Sequence, residues 1–232
     1  MKNFFAIPAA LTIGISVLFL FSCKSLPPQE IEPSLTEAMP GAMLEQETVP
    51  EEKPVALELA VPREDFVLPG VHIMGQGMVP GETLAAFLLQ VNTAIDANFV
   101  HSLSGLYVEE AAKEGINHDM AFAQMCLETG FLRFGGLVTP DMNNFCGLGA
   151  IGPRERGLYF PDTRIGVRAH IQHLKAYAST EPLNTNLVDP RFRYVTRGSA
   201  PTIHGLTGTW AVDRSYDVKI ARILENLYDF AF

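Results

Sequence analysis

The sequence predicts a mainly helical α+β domain with one small β-hairpin, and three observations carry that expectation. Apolar residues recur at i, i+3, i+4 and i+7 in several long segments, the spacing that lines one face of an α-helix. Glycine and proline crowd into residues 130–160, where continuous helix is implausible and short strands fit between turns. At 47% hydrophobic, the 232 residues can supply a real core, yet residues 24–69 contain a single aromatic, Phe66. The packed part therefore begins near residue 70.

From there each element can be justified in turn. Residues 80–91 place Leu84, Phe87, Leu88 and Val91 on one face of a first helix. Residues 99–114 repeat the pattern with Phe99, Leu103, Leu106, Tyr107 and Ala111, and Gly115 suits the left-handed residue that closes a helix. Asn117 is a good N-cap for a third helix, Asp119 complements the dipole in its first turn, and Gly130 stops it. Residues 146–151 and 158–160 are expected as two short strands around a turn at residues 153–156. Asp162 or Thr163 then caps a long helix that buries Ile165, Ile171, Leu174 and Ala178. A loop over residues 181–208 leads to a last helix over residues 216–230, and no internal repeat is visible.

The N-terminal part reads differently. Lys2 is the only charge before an apolar run over residues 4–21, and Leu20, Phe21, Ser22 and Cys23 end that run. A small residue before Cys, with a leucine three residues upstream of it, resembles the lipobox of bacterial lipoprotein signal peptides. On that reading residues 1–22 are a signal peptide and Cys23 becomes a lipidated N-terminus, anchored to a membrane on the exported side and facing the periplasm or cell wall. An uncleaved signal anchor is the alternative, since a run of this length just spans a bilayer. Residues 24–69 hold ten acids, three bases and eight of the sixteen prolines, so they carry −7 of the net −9. Such a segment cannot bury enough apolar surface to fold, and residues 23–69 are expected as an extended acidic tether. Residues 70–232 form the folded domain, at −3 and with no basic cluster, so nucleic acid is not an expected partner.

The chemistry centres on the third helix. Ala121, Gln124 and Glu128 share one of its faces, a line suited to the floor of a polar cleft. A carboxylate in the last turn meets the negative end of the dipole, and apolar neighbours such as Phe131 and Phe134 would desolvate it. Both effects raise its pKa, as a general acid requires. The bland alternative is a solvated Glu at a helix end. His170 and His173 stand three apart, but no Glu, Cys or further His lies at a ligand spacing beside them, so they read as helix-surface histidines. No metal or cofactor is expected. Arg191, Arg193 and Arg197 among Phe192 and Tyr194 read either as a grip for peptide carboxylates or as a solvated loop. Cys126 and Cys146 either pair or simply pack.

Three ordered blocks then narrow the field. Leu127, Glu128, Thr129 and Gly130 come first. Asn143, Asn144, Phe145, Cys146, Gly147 and Leu148 follow. Trp210, Ala211, Val212, Asp213, Arg214, Ser215 and Tyr216 close the series. Together they resemble the bacterial glucosaminidase domain, glycoside hydrolase family 73. The resemblance implies a lysozyme-like fold and an endo-β-N-acetylglucosaminidase that hydrolyses β-1,4 bonds in peptidoglycan glycan strands; separately, a monomer is expected. It implies Glu128 as the catalytic acid, Asn144 and Gly147 in the segment lining the cleft, and Tyr216 as the tyrosine of the last block. Gln124 is expected beside Glu128 from the helix spacing alone, and Trp210 is expected to pack the domain. Many members place a second acid in the hairpin after the Asn-Asn block. Here Glu155 and Asp162 are the candidates, with Asp141 nearby, and none sits in a recognisable motif. With one firm acid, substrate assistance by the N-acetyl group and intramolecular attack giving an anhydro sugar both stay open. A glycan-binding or scaffold lipoprotein without turnover, and a lytic transglycosylase, are the rival functions.

Overall fold

The computed structural model describes residues 71–152 and 155–232. The expected signal peptide, Cys23 and the acidic tether lie outside the described residues. The described part is mainly helical, with α1 (Gly81–Val91), α2 (Ala97–Glu114), α3 (His118–Thr129), α4 (Thr163–Ala178), the short α5 (Ile203–Leu206) and α6 (Tyr216–Ala231). It contains no large sheet; β1 (Ala150–Gly152) and β2 (Glu155–Arg156) form one two-stranded antiparallel ladder.

The helix boundaries follow local chemistry. Asp96 caps α2 by accepting from the Asn98 N–H, so this helix starts two residues earlier than its apolar pattern alone indicates. Gly115 ends it in the left-handed conformation. Asn117 caps α3 by accepting from the N–H groups of Asp119 and Met120. Asp162 caps α4 through the Ile165 N–H.

Helix α3 runs through the middle of the molecule and packs against α1, α2, α4 and α6. Eight consecutive side chains, Asp119 to Cys126, are buried, so it has no solvent face for most of its length. Its first-turn Asp119 does more than complement the dipole. It accepts from the N–H groups of Met78 and Val79 and from the Tyr228 hydroxyl (3.1 Å), tying the segment before α1 and the end of α6 to the centre. A buried ion pair between Lys175 and Glu114 (2.9 Å) joins α4 to α2, and Glu114 also accepts from the N–H groups of Asn184 and Thr185. That pins the start of the long loop.

The strands differ from expectation. Residues 146–149 form no strand; Asn144 holds them as a loop by accepting from the Leu148 N–H and donating to the Leu148 and Leu158 carbonyls. Residues 155–156, expected in a turn, are strand. Cys146, Leu148, Phe160 and Ala169 make a small second core beneath this loop, with Trp210 packed against it. Gly166 on α4 is required there, because a Cβ at that position would lie 1.8 Å from the Asn143 carbonyl oxygen.

Candidate active site

Glu128 sits where α3 emerges from the core, and its side chain lines a cleft of about 320 Å³ with Phe134, Val138, Asn144, Gly147 and Trp210. Three features of the chain deliver it there. Gly130 closes α3 in the left-handed region, and Phe131, Leu132 and Phe134 continue at positive φ, a costly run for residues with side chains. Thr129 holds that turn: its hydroxyl donates to the Met125 carbonyl (2.7 Å) and accepts from the Leu132 N–H (2.9 Å). The turn sends Phe131 into the core against Phe87 and leaves Phe134 on the cleft wall. Only the second of the two phenylalanines expected beside Glu128 therefore lines its cleft.

Both donors that reach the carboxyl bind the same oxygen. The Tyr216 hydroxyl and the Trp210 indole N–H (3.0 Å) donate to Oε1. Oε2 is left on the cleft side, 3.7 Å from where a Cβ on Gly147 would lie. An acidic proton therefore belongs on Oε2, because Oε1 is already accepting two. Burial raises the Glu128 pKa, and the two hydrogen bonds, which favour the ionised form, offset part of that rise. Trp210 thus does more than pack: its buried face needed an acceptor for the indole N–H, and Glu128 is that acceptor.

Behind Tyr216 the hydrogen bonds continue into the core. The Gln124 side-chain N–H donates to the Tyr216 hydroxyl (2.8 Å), His170 Nε2 meets Gln124 Oε1 (3.0 Å), and the Tyr107 hydroxyl meets His170 Nδ1 (2.9 Å). The amide oxygen can only accept, so His170 carries its proton on Nε2 and accepts from Tyr107 on Nδ1. Burial lowers the His170 pKa to about 3, which keeps it neutral, and burial pushes the Tyr107 and Tyr216 hydroxyls well up. Every donor in the row consequently points toward Glu128. Gln124 is fully buried and belongs to this relay, behind the cleft floor on which it was expected.

The remaining candidates separate. Asn144 is buried and shapes the loop whose Gly147 edge faces Oε2; Gly147 adopts φ +70, which the loop requires. Asp162 accepts the α4 N-cap bond, and Asp141 is exposed in a short 3₁₀ turn. Glu155 opens β2. Among the described side chains lining the cleft, Glu128 is the acid. His170 and His173 are buried, contrary to the surface reading; their helix faces the core, and the Asp189 carboxylate bonds His173 Nδ1 (2.7 Å). Cys126 and Cys146 are free and buried in different clusters. The Cys146 thiol lines the cleft, and burial, with the charges of Glu128 and Asp189, keeps it protonated.

A mainly helical domain that sets one acid at the end of a buried helix into a cleft, with a glycine-edged loop facing it, is the class of protein that this arrangement defines. The chain belongs to the glucosaminidase family, described as mannosyl-glycoprotein endo-beta-N-acetylglucosaminidase, whose model matches residues 104–229. It is also similar to a protein of Borreliella burgdorferi described only as uncharacterized: the two are 38% identical over 200 residues, covering 86% of this chain and 97% of the relative. No solved structure matches the chain.

Proposed function

We propose that the protein is a peptidoglycan hydrolase, an endo-β-N-acetylglucosaminidase that cleaves β-1,4 bonds, with Glu128 as general acid. The observation that carries this reading is the asymmetry of the Glu128 carboxyl: Oε1 is held by Tyr216 and Trp210, while Oε2 faces the cleft. A carboxyl whose pKa is raised by burial keeps its proton nearer neutral pH, and a fixed orientation aims it. In the proposed step Oε2 gives its proton to the glycosidic oxygen as the bond to the anomeric carbon breaks. The placement of the acid at the end of a buried helix, with a loop wall opposite, supports the same reading.

Among the described side chains the cleft offers no second carboxylate. With Glu128 as the acid, the proposed route is assistance from the substrate: the acetamido oxygen attacks the anomeric carbon, and water then opens the resulting ring. Attack by a sugar hydroxyl instead gives an anhydro product, the lytic transglycosylase outcome. Digestion of purified sacculi separates the readings. Reducing-end muropeptides support the hydrolase, anhydro sugars the transglycosylase, and binding without release a scaffold.

We further propose that residues 1–22 direct export and that lipid on Cys23 anchors the domain to a membrane, with residues 24–69 as spacer. The lipobox-like residues Leu20 to Cys23 support this. Extended at roughly 3 Å per residue, the spacer reaches on the order of 100 Å. Radiolabelled palmitate should enter the protein and be lost in Cys23→Ala; equal labelling of both removes the anchor.

A further inference from the structure

The cleft continues past the indole of Trp210. A second cavity, of about 210 Å³, shares Cys146, Gly147, Ala150 and Trp210 with the Glu128 cleft and reaches on to His173, Tyr177 and Arg191. No Asp or Glu is among the described residues that line it.

The cation on its wall has no carboxylate partner among the described residues. Arg164 and Arg168 are paired with Glu109 and Glu110, and Lys175 with Glu114. Along the loop, Arg193 donates to the Tyr194 hydroxyl and Arg197 to the carbonyls of Ser179 and Glu181. The Arg191 guanidinium, among the described residues, has no hydrogen-bond acceptor; it lies 5.4 Å from the Tyr194 ring centre. Its backbone, by contrast, is fixed. The Arg191 N–H donates to Asp189 Oδ1 (2.8 Å), while Oδ2 of that buried carboxylate holds His173 Nδ1 (2.7 Å). His173 in turn stands edge-on to Trp210 and Tyr177. The walls are therefore braced, and among the described residues one guanidinium fork has no hydrogen-bond acceptor.

A guanidinium fork matches a carboxylate through two parallel N–H···O bonds. We propose that this cavity is a subsite for a carboxylate carried on the glycan next to the bond positioned at Glu128, and that Arg191 grips it. The proposal rests on the glycosidase reading of the first cavity. In peptidoglycan the carboxylate has two sources, the stem peptide or a lactyl group freed of its peptide; unsubstituted N-acetylglucosamine polymers carry neither.

The test is binding by the full chain carrying Glu128→Gln, with and without Arg191→Met, co-sedimented with intact sacculi, amidase-stripped sacculi and chitin. The second substitution should weaken binding to carboxylate-bearing glycan about tenfold or more and leave chitin binding unchanged. A loss confined to intact sacculi assigns the stem peptide, and one confined to stripped sacculi the lactyl group. No loss on either, or an equal loss on chitin at unchanged Tm, overturns the subsite. If Arg191→Met lowers Tm, Arg191→Lys, which keeps charge without the fork, serves in its place and should show the same preference at smaller size. Near wild-type digestion of sacculi by Glu128→Gln alone would count against Glu128 as the general acid, whatever Arg191 does. Release of no muropeptides by the wild-type chain would count against the glycosidase reading.

Discussion

The hydroxyl of Tyr216, in the first turn of α6, donates to Oε1 of Glu128, in the last turn of α3, across 88 residues of sequence. This bond favours the ionised carboxyl, so removing it should raise the Glu128 pKa further. A general acid works while protonated, and its rate falls as pH rises through its pKa. Tyr216→Phe should therefore move the alkaline limb of the kcat profile to higher pH. It should also cost about 1–3 kcal/mol of stability, because the Gln124 amide loses its acceptor. An alkaline limb that stays in place would disconnect the tyrosine from the acid.

Glu128→Gln keeps the shape and lets the amide oxygen accept from Tyr216 and Trp210, but it has no acidic proton. Activity on sacculi should fall by roughly 10²–10⁴-fold. Stability runs the other way. Above its raised folded pKa, the wild-type carboxyl is ionised in a site that disfavours charge, so the variant should be as stable or more stable at neutral pH. Near wild-type digestion by this variant would return Glu128 to a packing role.

His170 makes acid stability measurable. Its folded pKa of about 3 lies below the ordinary 6.5, so between those values the unfolded chain binds a proton that the folded protein refuses. Stability should then fall as pH drops below about 6.5, at up to about 1.4 kcal/mol per unit for this group. Urea midpoints between pH 6.5 and 5 should show a shallower loss in His170→Gln than in wild type. Equal slopes would mean that His170 charges freely in the fold.

The Lys175–Glu114 pair should behave as a buried pair does. Glu114→Gln leaves the ammonium without a counter-charge and should destabilise by about 3–5 kcal/mol. Replacing both residues with apolar groups of similar volume should cost much less, although the 184–185 loop loses the carboxylate that anchors its N–H groups. Denaturant unfolding of the single and double variants decides this, and a mild effect from the single change would count against it.

The helices were legible in the sequence because their signals are local. Apolar spacing, Asn117 as a cap and Gly115 and Gly130 as stops act within a turn or two of themselves, and each lies where its chemistry predicts. Glu128 and Tyr216 stood out for a related reason: each belongs to a short motif in contiguous residues. Residues 146–149 were misread as strand because the amide of Asn144 closes a loop there that no periodicity encodes. The buried histidines were misread because polar residues normally mark a helix's wet face. Only the tertiary structure supplies the partners, Gln124, Tyr107 and Asp189, that let His170 and His173 be polar and dry. The role of Trp210 was decided in the same way: the sequence determined that one tryptophan lies six residues before Tyr216, and packing of α3 against the α5–α6 connection decided that both reach one carboxylate oxygen. Local chemistry sets which element forms, whereas the orientation of an acid depends on side chains brought together from distant parts of the chain.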